Sequence, residues 1–187
     1  EKIMSNIRDG IAIVYCANAF GTTNGKTAHG LVRHSGRWGI ASVVDPARAG
    51  SDTGALLDGR PNGIPVLESL GAALEHALAS GTPATHVVIG QTPDGGRLGP
   101  DARENILAAL RSGLHVVSGS HDFYSEDPEV AAIAAEKGVT VKDVRKPPPI
   151  RELHSFSGKI GEVNSLKLAV LGTDSAVGKR TTAVILM

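Results

Sequence analysis

Short β-branched runs alternate with longer Ala/Leu-rich stretches along most of the chain. No other feature constrains the fold as strongly. The runs are residues 11–16 (IAIVYC), 40–45 (IASVVD), 86–90 (HVVIG), 114–118 (LHVVS) and 139–144 (VTVKDV). Between them lie 26–34, 66–80, 100–112 and 128–137, each long enough for a helix. The runs are apolar without a clean polar alternation, as strands covered on both faces should be. Helix-boundary signals agree: Pro100 and Asp101 suit a start, and Gly81 and Gly113 follow ends. Strand and helix in alternation, joined by right-handed crossovers, predict an α/β fold. The expected architecture over residues 1–145 is a doubly wound parallel sheet of five strands.

The pattern breaks at Pro147, Pro148 and Pro149, which can continue neither a helix nor a central strand. Residues 146–165 are expected to form an extended linker. A new apolar strand is expected at 167–171, opening a second domain over 166–187 that the chain barely enters. The chain starts at Glu1 and ends in TTAVILM, which reads as buried helix with nothing after it. The expectation is a fragment of a longer protein.

Several function classes are disfavoured by composition. Formal net charge is zero, so no global field attracts nucleic acid or an anionic membrane. Aromatic residues make up 3%, too few for base-stacking platforms. The single cysteine, Cys16, rules out an internal disulfide and sits in an apolar run, as a buried inert thiol would. No run has the length of a membrane span and no signal peptide is visible, so the expected location is cytoplasmic.

Two loops carry a Gly-Lys pair. The later one, GTDSAVGKRTT at 172–182, follows an apolar run and opens a helical stretch. A phosphate-binding loop needs glycines for its turn, a lysine for the phosphates and a hydroxyl for magnesium. Here the first glycine is Gly172, one place early, and the hydroxyl is Thr181, one place late, because Arg180 intervenes. Gly172, Thr173, Gly178, Lys179, Thr181 and Thr182 are the candidate cofactor-binding residues, with Thr181 the candidate magnesium ligand. The earlier loop, FGTTNGKT at 20–27, has Phe20 where the first glycine should stand, and is no phosphate loop. A dinucleotide fingerprint, G-x-G-x-x-G, is absent. Asp45 ends the second run where a ribose-binding acid would sit, although a loop-capping role suits it better.

Sheets of this kind place the first strand beside the fourth, with ligands in the crevice at their C-terminal ends. Residues 18–25 then form one wall and 118–122 the other, with 90–99 nearby. Lys26, Arg97, Ser120 and His121 are the candidate substrate-binding residues. The two cations suit a carboxylate or phosphate. His121 with Asp122 is the candidate acid–base pair, and His76, His86 and His115 read as structural.

The segments KTAHGLVR, GGRLGPDARENILAAL, VVSGSHDFYSEDPE, DVRKPPP and LGTDSAVGKRTTA occur in this order across nearly the whole chain. Together they resemble the D-glutamate N-acetyltransferase-like family, long catalogued only as a domain of unknown function. The resemblance implies a Rossmann-like N-terminal domain joined to a P-loop NTPase-like C-terminal domain, most of which lies outside this sequence. It implies that the Arg180 spacing is a family variant. It also implies an enzyme that transfers an acetyl group to the amino group of a small acidic amino acid. The later loop is expected to take ATP or acetyl-CoA as a phosphate-bearing cofactor; the alternative readings are an ATP-dependent P-loop enzyme of another substrate, a non-catalytic nucleotide-binding module, and an NAD-type oxidoreductase, which the missing G-x-G-x-x-G disfavours. The expected partners are that small acid and further copies of the chain, a homo-oligomer, without nucleic acid or membrane.

Overall fold

Residues 9–173 and 177–187 are described in a computed structural model of the chain. Asp174, Ser175 and Ala176, in the middle of the later Gly-Lys loop, lie outside the described residues. The chain divides into two units, Glu1–Pro147 and Pro148–Met187.

The first unit is built on six parallel strands: β1 (Gly10–Tyr15), β2 (Trp38–Val44), β3 (Val66–Leu67), β4 (His86–Ile89), β5 (His115–Ser118) and β6 (Val141–Asp143). Their order across the sheet is β3-β2-β1-β4-β5-β6. The helices are α1 (Lys26–Arg33), α2 (Thr53–Asp58), α3 (Leu70–Ala79), α4 (Pro100–Arg111) and α5 (Pro128–Lys137). In the inner strands, side chains alternate between two apolar faces, as period-2 geometry demands. Ile13, Tyr15, Val44, Val87, Ile89 and Val116 pack with α3, α4 and α5. Val14, Cys16 and Val43 pack with Ala28 and Val32 of α1. This two-sided covering explains why the strand sequences lack a polar alternation.

Three sequence expectations need correction here. The sheet has six strands, and the segment 66–80 is not one helix. Val66 and Leu67 pair with Val43 and Val44 as a short edge strand. Ser69 then starts α3, its hydroxyl accepting from the Ala72 amide at 3.1 Å. A two-residue strand gives no periodic signal, so its apolar residues blend into the helix that follows. That extra strand shifts the count. The first run therefore lies beside the third run, β4, and the 114–118 run, β5, stands one strand further out. α2 also went unread, because six residues hold under two turns of helical pattern.

Close packing at the centre is fixed by Gly90, just past β4. A Cβ there would come within 2.5 Å of Val14 Cγ1 and 2.8 Å of Ala28 Cβ, both fully buried residues. Only glycine lets α1 approach this near, and the Ala28 amide donates to the Gly90 carbonyl at 3.0 Å. At the N-terminal edge, Trp38, His86 and His115 form a short aromatic row, with the two imidazole centroids 4.9 Å apart.

The second unit contains the 3-10 turns Ile150–Glu152 and Lys159–Glu162 and the helix α6 (Lys179–Ile185). The strand expected at 167–171 is not formed: Val170 pairs with no strand among the described residues. A strand needs a neighbour for its backbone groups, and this unit offers none. None of its described apolar side chains is buried; Phe156 is 91% exposed and Leu171 86%. Among the described residues no helix is long and apolar enough to cross a membrane.

Candidate functional site

The strand order reverses between β1 and β4, and sheets of this kind take ligands at the C-terminal ends beside such a point. Three loops border it, and each is held by buried or short polar contacts.

The loop after β1, residues 16–25, is tied down from below. The Phe20 amide donates to Asp45 Oδ2 at 2.7 Å, and the Ala47 amide donates to Oδ1 at 2.9 Å. Asp45 is completely buried, so its carboxylate serves the backbone and does not face a ribose. That is the loop-capping role. Phe20 is itself fully buried, and its carbonyl accepts from His29 Nε2 at 2.6 Å. A carbonyl only accepts, so Nε2 carries the ring proton. Ala17 and Asn18 take positive φ values of 37° and 62°, a turn that L-residues adopt at a cost. Burial, and secondarily Asp45, push the Cys16 thiol up to about 12. The thiol is inert, as its apolar context implied.

The loop after β4, residues 90–99, stands in the middle. At its start the Thr92 amide donates to the Asn24 carbonyl at 2.7 Å, and the Thr92 and Thr27 hydroxyls meet at 2.9 Å. Further on, the Gly96 carbonyl accepts from the His121 amide at 2.7 Å, and Arg97 Nη1 pairs with Asp122 Oδ1 at 3.1 Å. This loop links the loop after β1 to the loop after β5.

The loop after β5 carries Ser120, His121 and Asp122. Ser120 is buried; its hydroxyl meets that of Ser118 at 2.9 Å and donates to the Asp122 carbonyl. It shapes the turn from within. His121 and Asp122 do not form the expected acid–base pair. Asp122 turns to Arg97 and the Leu98 amide, whereas His121 Nε2 meets Arg145 Nη1 at 3.2 Å. Neighbours on an extended turn point apart, and each finds its own cation. Lys26 is exposed at the start of α1, on the Thr92 side of the middle loop. No contact joins Lys26 to His121 among the described residues. The structure thus brings Arg97, Asp122 and His121 together, and leaves Lys26 on the far flank of 90–99.

Two contributors had no mark in the sequence reading. Arg145 follows β6, and Gly96 lies flat against the His121 ring. The signal for Arg145 was positional. It stands at the C-terminal end of the last strand, the edge where the other loops gather.

In the second unit, Gly172 approaches Lys179 closely. A Cβ on Gly172 would lie 3.0 Å from both Cγ and Cδ of Lys179 and 2.8 Å from Val177. Gly178 has φ 89° and precedes the first turn of α6, which contains Thr181 and Thr182. Among the described residues, Gly172 and the stem of Lys179 are thus close neighbours.

A parallel sheet ordered 3-2-1-4-5-6 with helices on both faces defines a Rossmann-like α/β domain. A family model described as a domain of unknown function (DUF1611_N), Rossmann-like domain, matches residues 46–147, and the chain belongs to this family. It is similar to the D-glutamate N-acetyltransferase of Tritonibacter scottomollicae, 34% identical over 114 residues, covering 59% of this chain and 32% of that protein. The crystal structure of a DUF1611 family protein from Anabaena variabilis superposes with a TM-score of 0.78 at 28% identity. That match covers 94% of this chain and 47% of the Anabaena chain. The amine dehydrogenase of Mycobacterium smegmatis shares the fold, with a TM-score of 0.51 at 22% identity over 75% of this chain and 40% of its own. The chain therefore spans about a third of the curated relative and about half of the Anabaena protein.

Proposed function

We propose that the chain is part of an enzyme that acts on a small acidic amino acid, in the manner of the D-glutamate N-acetyltransferase it resembles. The observation that carries this is the group of cationic and titratable side chains at the C-terminal sheet edge: Arg97, His121 and Arg145, with Lys26 across the middle loop. Guanidinium groups match carboxylates in geometry and charge. The edge where they gather is the one at which parallel sheets take ligands. In this reading His121 is the candidate proton acceptor for the substrate amine. Asp122 positions Arg97, and Ser120 supports the turn.

The loop 172–182 is assigned to a phosphate-bearing cofactor, acetyl-CoA or ATP. Lys179, Gly172, Thr173, Gly178 and Thr182 would hold the phosphates, and Thr181 a magnesium ion if the ligand is ATP. The cofactor would supply the activated acyl or phosphoryl group. The fully buried, backbone-bonded Asp45 speaks against a dinucleotide bound through its ribose.

Thermal shift of the full-length protein tests both assignments, because a ligand that binds the native state raises its midpoint. D-glutamate or L-glutamate and acetyl-CoA or ATP should each stabilise. Lys26→Ala should weaken the acid and spare the cofactor. Lys179→Ala should weaken the cofactor by roughly 1.5–3 kcal/mol and spare the acid. The crossed pattern would reverse the two assignments, and stabilisation by NAD alone would remove them.

A further inference from the structure

His121 is held on two sides. On one, its amide donates to the Gly96 carbonyl, and its ring lies so close that a Cβ on Gly96 would come within 2.0 Å of Cδ2. On the other, Arg145 Nη1 reaches Nε2 at 3.2 Å. A guanidinium has donors only, so Nε2 must accept. A hydrogen bond of this kind requires the tautomer with its proton on Nδ1.

Two neighbouring cations have acidic partners: Arg97 pairs with Asp122, and Lys146 with Glu126 at 3.1 Å. Asp143, at the end of β6, accepts from the Tyr124 and Ser125 amides at 3.2 and 2.8 Å. Arg145 differs, because the group it meets is a ring nitrogen and not a carboxylate. Its remaining guanidinium hydrogens can receive a two-pronged carboxylate.

We propose that Arg145 and His121 are the carboxylate-recognition pair of this edge. A carboxylate draws the guanidinium onto itself and away from Nε2. The ring nitrogen is thereby freed for a proton from the ligand. This rests on the acid-binding reading above and names the residues that meet the acid.

Imidazole 15N–1H correlation spectra of the labelled chain test it, with glutarate, a plain dicarboxylate, as the probe. The His121 signals are assigned by their loss in His121→Asn. In the free chain Nδ1 should be protonated and Nε2 unprotonated, and in Arg145→Ala that preference should relax. Glutarate should shift the His121 nitrogens saturably. Arg145→Ala should weaken the titration on the order of tenfold or more, and Arg145→Lys should fall between. Amide spectra confirm that each variant is folded. A protonated Nε2 in the neutral ring of the free chain would overturn the proposal. So would saturable glutarate shifts confined to residues 24–27, which would leave the acid-binding reading intact. No saturable shift anywhere would remove both.

Discussion

The Phe20 amide donates to Asp45 across 25 residues of sequence, and the carboxylate that receives it is fully buried. With the Cys16 and Ala17 amides on the Val44 carbonyl, this contact ties the loop after β1 to the end of β2. The Asp45 carboxylate accepts from two backbone amides; removing it leaves the buried Phe20 N–H without a partner, whereas the exposed Ala47 amide keeps Asn18 Oδ1 at 3.1 Å. Asp45→Ala should therefore cost about 2–3 kcal/mol. Asp45→Asn, which keeps one acceptor, should cost less. Urea unfolding of both variants measures the difference. A loss under half a kilocalorie for Asp45→Ala would show that the loop is held elsewhere.

Cys16 should be unreactive in the folded chain. Its thiol is buried and its ionisation displaced to about 12, so the nucleophilic thiolate is scarce at any ordinary pH. Labelling with a thiol reagent at pH 8 should be negligible in buffer and complete in denaturant. Rapid stoichiometric labelling of the native chain would contradict the burial.

His86 should make stability fall in mild acid. Burial, and then the neighbouring His115, lower its pKa, and Arg37 adds to this while Asp9 opposes it. The folded state therefore binds fewer protons than the unfolded chain. Its contribution is fully present above the unfolded value of about 6.5 and is lost as pH falls through the lower folded value. Unfolding midpoints at pH 7.5 and 5.5 should differ, and His86→Gln should narrow the gap. An identical gap in the variant would assign the pH dependence to other groups.

Gly90→Ala should cost about 1–3 kcal/mol by overpacking. The added methyl meets Val14 and Ala28, and neither has room to move in a filled core. Thermal unfolding checks this. A neutral outcome would mean that α1 can slide outward on the sheet.

Much of the first unit was legible because its strands and helices are long enough to show their periods. β4, β5 and β6 fall within the runs that mark them, β1 and β2 overlap theirs but begin at Gly10 and Trp38, and α4 starts at Pro100 as its capping residues indicate. What escaped was short or long-range. β3 has two residues, and a strand that brief carries no alternation of its own. Missing it displaced β5 by one place and overstated how near Lys26 lies to His121. Partner choice within the site was also hidden. Nothing in the pair His121-Asp122 reveals that Asp122 will face Arg97, or that His121 will meet Arg145 from 24 positions away. Such pairings depend on where distant loops converge, and a local pattern holds no record of that.

Both outer strands of the sheet are stubs, with two residues in β3 and three in β6. An exposed backbone ladder is a template for pairing with another chain, and a stub offers it almost nothing. Self-association of this domain through a shared sheet edge is therefore disfavoured. A continuous sheet running from one copy to the next would begin with a ladder of two or three residues, too short to hold.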